Sequence, residues 1–229
     1  MKFNINRFDL TVALYIFGVM AAELMGSKTF PIFKFSWLHL NSSVAIFVIP
    51  LLFTLVDSVV EVYGKARARS LVLSGIIVVA LLVVYSLLVT HLQPSTIFKS
   101  TNKAYTTVFE YSARIALASL SAFAVSELLD VLIFTKLRQK LNKKALWLRN
   151  NLTNFVAQFA DSAIFLTLAF YSFSLPFHAN YSFLVSLIIP YWLLRCFLSI
   201  VETPLVYLGV WWLKGDKSQG VKMAELSRA

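Results

Sequence analysis

Six long apolar runs, joined by short connections that hold most of the basic residues, constrain this chain more than any other feature. They lie near residues 8–27, 40–62, 70–91, 112–135, 150–174 and 182–205. An α-helix rises 1.5 Å per residue, so about 20 apolar residues cross the roughly 30 Å hydrocarbon core of a bilayer. Six such segments use nearly all of the 229 residues and leave no room for a separate soluble domain. With 59% apolar residues, 14% charged residues and a mean hydropathy of +0.74, no soluble class accommodates the chain. The expected fold is an all-α membrane protein, one transmembrane domain over 1–229 with six helices in a compact bundle and the lipid bilayer as its solvent. The last run continues through Trp211 and Trp212, and Pro190 and Pro204 give it places to kink. Residues 206–229 are therefore expected to form a cytoplasmic or interfacial tail. Lys2 and Arg7 before the run from Leu10 to Ala22 resemble a signal peptide, but the apolar stretch continues towards Met25, which favours an uncleaved first helix.

Orientation follows from the basic residues, since loops rich in Lys and Arg stay in the cytoplasm. Fifteen of the 21 fall on one side: Lys2 and Arg7, then 65–69, then 136–149, then 214–228. Lys28, Lys34, Lys99 and Lys103 fall on the other, while Arg114 and Arg195 lie within apolar runs. Both termini are expected in the cytoplasm, with the chain in the inner membrane. The net charge of +10 sits in the gaps between runs rather than along one face, which argues against nucleic acid as a partner. The segment from Gln93 to Tyr111 reads as an external connection, an ordinary loop in preference to a lid lying flat. Cys196 is the only cysteine, which excludes an intrachain disulfide and a thiolate metal cluster.

Eight of the eleven acidic residues lie in or at the ends of the apolar runs: Asp9, Glu23, Asp57, Glu61, Glu127, Asp130, Asp161 and Glu202. A carboxylate at mid-bilayer costs about 2.5–3.5 kcal/mol on insertion scales, so such groups face the bundle interior, a partner or a water-filled cavity. Asp9, Glu61, Asp130 and Glu202 lie near helix ends, where Arg67, Arg69, Arg138 and Arg149 could pair with them. Glu110 lies four residues before Arg114, and an i,i+4 pair would account for that arginine. Asp161 sits near the middle of its run. Asn150, Asn154, Gln158 and Asp161 share one helical face, at spacings of four, four and three. This stripe is read as a binding surface, against the alternative of a buried interhelical hydrogen-bond network. Arg195 needs an anionic partner or an acceptor-rich ligand, and Asp161 could itself be that partner. No H-E-x-x-H, G-x-S-x-G or G-x-x-x-x-G-K-[ST] motif is present, and His39, His91 and His178 share no metal-ligand spacing. No cofactor, metal or catalytic residue is assigned and the chain is read as a non-enzyme.

Several spaced motifs then agree in order. Pro50, Asp57, Glu61-Val62-Tyr63-Gly64 and Ala68-Arg69 resemble the signature of the queuosine-precursor transporters, a vitamin uptake transporter type of six-helix membrane protein. Ala113-Arg114-Ile115, Ala118-Ser119 and Leu129-Asp130-Val131 resemble that family's fourth helix, Gln158 to Ser162 with Phe165 its fifth, and Glu202-Thr203-Pro204 with Tyr207 its sixth. The resemblance runs from about Leu24 to Leu213. It implies a six-helix importer, related in architecture to the substrate-binding subunits of energy-coupling-factor transporters, that moves 7-cyano- or 7-aminomethyl-7-deazaguanine, or queuine, inward for salvage into tRNA modification. A guanine-like base presents two adjacent N–H donors that one carboxylate can accept together, and a carbonyl that Arg, Asn or Gln can satisfy. Phe155, Phe159 and Tyr191 are candidates to stack on it. Three positions depart from the family pattern: Glu23 where Asn is usual, Glu127 where Gln is usual, and Arg195 where Lys is usual. The two added acids could accommodate a cationic substituent or be paired with Lys28 and Arg195.

The candidate substrate-binding set is thus Asp161, Gln158, Asn154, Arg195, Glu127, Asp57, Glu23 and Lys28, acting on one purine-like solute. Two rival readings stay open at this point. The first is a binding subunit for a vitamin or nucleobase that needs a separate ATPase module. The second is a membrane enzyme built on Asp57, Glu61 and Glu127. Energy coupling and a homodimer are undecided by the sequence.

Overall fold

The computed structural model describes residues 6–34, 39–140 and 146–226. They form six α-helices, one short 3₁₀ helix and one β-hairpin. α1 (Arg7–Met25) starts where the Asn6 side chain accepts hydrogen bonds from the backbone N–H groups of Phe8 and Asp9, at 2.8 and 3.3 Å. Asn6 thus satisfies two of the free donors of the first turn, with Asp9 placed to favour the positive end of the helix dipole. β1 (Thr29–Lys34) and β2 (His39–Ser43) pair antiparallel, with Thr29 opposite Ser43 and a register irregularity between Pro31 and Phe33. The hairpin was not anticipated. It is tied down by Ser43, whose hydroxyl donates to the Gly26 carbonyl at 2.6 Å, and it leads through the 3₁₀ turn Val44–Phe47 into α2 (Ile49–Tyr63).

Pro50 stands in the first turn of α2, where its missing N–H costs nothing. Gly64 separates α2 from α3 (Lys65–Thr90) with φ at +86°, a conformation that L side chains rarely adopt. α4 (Lys99–Lys140) begins well before the expected fourth span, so most of the segment expected as an external loop is helical. Phe98, Tyr105 and Phe109 pack edge-on and tilted along this extension, with ring centroids 5.5 and 4.5 Å apart. α5 (Leu146–Phe170) is followed by a six-residue turn that the buried Asn180 holds: it accepts from Ser172 N and donates to the carbonyls of Ser172 and Leu175. α6 (Phe177–Leu226) runs without interruption past Pro190 and Pro204, so the expected tail continues the last helix.

α2 through α6 form a closed circuit of neighbours, each packing on the next and α6 returning to α2, while α1 lies against α2, α3, α4 and α6. Small residues set the close approaches. A Cβ at Gly209 of α6 would strike Ser58 of α2, and Ser58 Oγ donates to the Val206 carbonyl at 3.5 Å. Outward faces are apolar: α3 exposes Leu73, Ile77, Leu81, Val84 and Leu88, a stripe that suits lipid and not water.

Arg7–Met25, Lys65–Thr90, Lys99–Ser126 and Phe177–Leu198 are long and apolar enough to cross a membrane, and Phe155–Phe170 is a shorter apolar helix. α2, with 15 residues, is about 22 Å long at 1.5 Å per residue, and the 3₁₀ turn Val44–Phe47 immediately precedes it. The chain is a multi-pass membrane protein. Arg7 and Arg67 stand together at one end of the bundle. There Arg7 donates to the Trp212 carbonyl at 2.5 Å and lies over the Trp212 ring, and Arg67 lies 5.3 Å from the centre of the Phe8 ring. The hairpin sits at the opposite end, where Ser112 of α4 donates to Leu24 of α1 at 2.9 Å.

Candidate functional site

All six α-helices contribute to a cavity of about 320 Å³, within the roughly 300–1,000 Å³ range of small-molecule sites. Its walls are mainly apolar: Val19 and Ala22 from α1, Leu52 and Val56 from α2, Val72, Ile76 and Val79 from α3, Ile115 and Leu120 from α4. Four aromatic rings, Phe53, Phe123, Phe165 and Tyr191, and the phenol of Tyr15 also line it. Three charged residues face this interior: Glu23, Asp161 and Arg195.

Arg195 of α6 donates through one terminal nitrogen to Asp161 of α5, the one salt bridge among the described residues. The same nitrogen lies 3.4 Å from Ser162 Oγ, and Ser126 of α4 donates to the other Asp161 oxygen at 3.4 Å. The guanidinium is also held over two rings, 5.6 Å from the centre of Phe53 and 5.9 Å from that of Tyr191. Its Nε is buried with no hydrogen-bond partner. The pair therefore has a fixed geometry and a spare donor, and with side chains only 14% and 22% exposed it is shielded from water. Glu23 of α1 is buried in the same lining as Ser119 of α4, with Oε2 left unpaired among the described residues.

The structure brings Glu23, Asp161 and Arg195 to one cavity, and Gln158 lies one turn before Asp161 with Oε1 3.7 Å from Cys196 Sγ. Asp57 is exposed on α2, one turn beyond Phe53, and Lys28 is exposed beyond the end of α1; neither lines the cavity. The side chains of Glu127 and Asn154 lie outside the described residues. Glu23 pairs with neither Lys28 nor Arg195. Arg114 does not pair with Glu110 either. It donates to the carbonyls of Leu168, at 2.9 Å, and Tyr171, satisfying the free C-terminal acceptors of α5. Phe155 and Phe159 pack edge-on against Trp192 outside the cavity, leaving Tyr191 as the one proposed stacking ring that lines it. Phe53, Phe123 and Ser119 were not singled out by sequence reasoning as cavity residues. A usable signal existed for Tyr15, which shares the Glu23 face at positions 15, 19, 22 and 23.

A family model described as "Putative vitamin uptake transporter" matches residues 43–209, nearly three quarters of the chain and five of the six helices that build the cavity. The chain belongs to this family. Two curated relatives of this chain carry the name "Probable queuosine precursor transporter". The one from Bacillus subtilis (strain 168) is 31% identical over 155 residues, 67% of this chain and 65% of the relative. The one from Haemophilus influenzae is 28% identical over 136 residues, 58% of this chain and 53% of the relative. The chain thus spans less than two thirds of the length of either relative it matches. No solved structure matches it. The family signature that the sequence suggested is shown by these matches, and both Asp161 and Arg195 fall within the matched segment.

Proposed function

We propose that this chain is a six-span inner-membrane carrier that imports a queuosine precursor, a 7-deazaguanine base, through the cavity between its helices. Support for six spans comes from the arrangement at the ends of the helices. The N-terminus of α1, the turn at Gly64 and the Trp212 region of α6 gather at one end, while the hairpin, the α3–α4 loop and the α5–α6 turn belong to the other. α2 with its preceding 3₁₀ turn, and α5, then complete the six. The basic end faces the cytoplasm on this reading. The likeness to substrate-binding subunits of energy-coupling-factor transporters remains a matter of the sequence resemblance.

The observation that carries the function is the Asp161–Arg195 pair in a mainly apolar cavity of base-accommodating size. A guanine-like base offers two N–H donors that the Asp161 carboxylate can accept, and a carbonyl that the unpaired Nε of Arg195 can satisfy. Phe53 and Tyr191, already stacked against the guanidinium, give its flat faces a seat. Gln158 and Asn154 extend the polar stripe next to Asp161, and Asp57, Glu127 and Lys28 stand as candidates along the path to it.

Uptake of radiolabelled 7-cyano-7-deazaguanine, 7-aminomethyl-7-deazaguanine and queuine into liposomes containing only this chain tests the reading. Saturable uptake of at least one, competed by the others and weakly by adenine, is the expected result. Binding without uptake would convert the carrier into a binding subunit that needs a separate energising partner, and no binding would remove the substrate class.

A further inference from the structure

The cavity holds three groups able to carry charge, and only two neutralise each other. Asp161 and Arg195 form their own pair. Glu23 lines the same cavity at 7% exposure, forms no ion pair among the described residues, and leaves Oε2 buried without a hydrogen-bond partner there. Among the described residues no cation pairs with it: Arg195 is taken by Asp161, Val19, Ala22 and Ser119 line the cavity beside it, and Lys28 is exposed beyond the end of α1. A buried carboxyl in such a setting is stabilised by a proton or by an external cation, because an unpaired buried charge is among the costliest arrangements a protein can hold. Glu23 is part of the cavity lining, so the cation can come from the solute once the side chain turns towards it.

We propose that Glu23 determines specificity by receiving a cationic amino group of the solute, so that this chain selects purine-like bases bearing an ammonium substituent over neutral ones. The proposal rests on the carrier reading and narrows it. The neutral base edge meets the internally neutral Asp161–Arg195 pair, and the ammonium supplies the one charge that balances Glu23. Within the 7-deazaguanines this favours an aminomethyl group, or a longer side chain carrying a secondary amine, over a cyano group.

The test is equilibrium binding of 7-aminomethyl- and 7-cyano-7-deazaguanine to the purified full chain at one pH, comparing the parent with Glu23→Gln and Glu23→Asp. The readout is the ratio of the two dissociation constants, with thermal unfolding to confirm that each variant is folded. The parent is expected to favour the aminomethyl base by about tenfold or more, the worth of one charge-assisted contact. Glu23→Gln is expected to bring the ratio close to one, and Glu23→Asp, with the charge on a shorter stem, to give an intermediate value. A parent ratio near one, or a parent preference that Glu23→Gln leaves intact, overturns the proposal while the carrier reading stands. If Glu23→Gln does not fold, a ratio in Glu23→Asp equal to that of the parent overturns it. Binding of neither base by the parent overturns the carrier's substrate class and this proposal together.

Discussion

The guanidinium of Arg195 reaches across from α6 to the carboxylate of Asp161 on α5, joining residues 34 positions apart in the wall of the cavity. Among the described residues each charge is the other's only salt-bridge partner, and each has further contacts that fix its orientation: Ser126 on Asp161, Ser162 and two aromatic rings on Arg195. The pair has two roles at once. It makes two buried charges tolerable, and it presents an acceptor and a donor side by side to whatever enters.

Breaking the pair from one side should cost more than removing it whole, since a lone buried charge remains. Asp161→Asn and Arg195→Met are each expected to lower stability by about 3–5 kcal/mol, with the double variant Asp161→Asn/Arg195→Met more stable than at least one of them. All three should lose base binding. Thermal unfolding of detergent-solubilised protein with and without ligand checks this. Additive losses in the double variant would show that the two residues act independently.

Gly75 of α3 faces Tyr15 of α1 so closely that a Cβ placed there would lie 2.9 Å from the Tyr15 ring. Both line the cavity. Gly75→Ala must therefore push the ring inward, and small-residue contacts of this kind set how near two membrane helices approach. The expected outcome is a severalfold weaker Kd for the base, restored in part by Tyr15→Leu in the same chain and less by Tyr15→Phe, which removes the hydroxyl at 3.0 Å but leaves the ring carbon at 2.9 Å. Titration of the purified variants measures it.

Arg114 lay in an apolar run and was expected to pair with Glu110, yet it caps the end of α5 through Leu168 and Tyr171. Arg114→Gln should destabilise the protein by about 1.5–3 kcal/mol, the range for hydrogen bonds to a charged group. Arg114→Lys should recover only part of that, because an ammonium lacks the planar fork that serves two carbonyls. Affinity for the base in the folded fraction should change little. A thermal shift series with matched binding data separates the two effects.

Hydropathy made the helices legible because it reports contact with lipid, and the charged positions inside them made Glu23, Asp161 and Arg195 legible because such residues have few places to go. It is a poor guide where helix and lipid contact part company. Lys99, Asn102 and Lys103 made the start of α4 look like loop, although Phe98, Tyr105 and Phe109 stand at helical spacing and pack against one another in the structure. The hairpin from Thr29 to Ser43 has no strong turn signature and depends on contacts made elsewhere, such as that of Ser43 with Gly26. Which aromatic rings face the cavity was likewise hidden. Phe53 and Phe159 both sit in apolar helices, and only the packing of α6 decides that Phe53 lies under Arg195 while Phe159 goes to Trp192.

The bundle places Lys65, at the turn after Gly64, and Thr96, in the loop after α3, at opposite ends of one 26-residue helix, both exposed. At 1.5 Å per residue that helix is about 39 Å long, enough to separate the two membrane surfaces. The Lys and Arg residues collect at the Lys65 end, so that end should remain in the cytoplasm. In a Cys196→Ala background, Thr96→Cys is expected to react with a membrane-impermeant maleimide added to spheroplasts, whereas Lys65→Cys should react only after the membrane is permeabilised. Reversed labelling would invert the carrier and place the hairpin and Glu23 towards the cytoplasm, making export the direction in which Glu23 first meets its solute; labelling of both from outside would mean that α3 does not span.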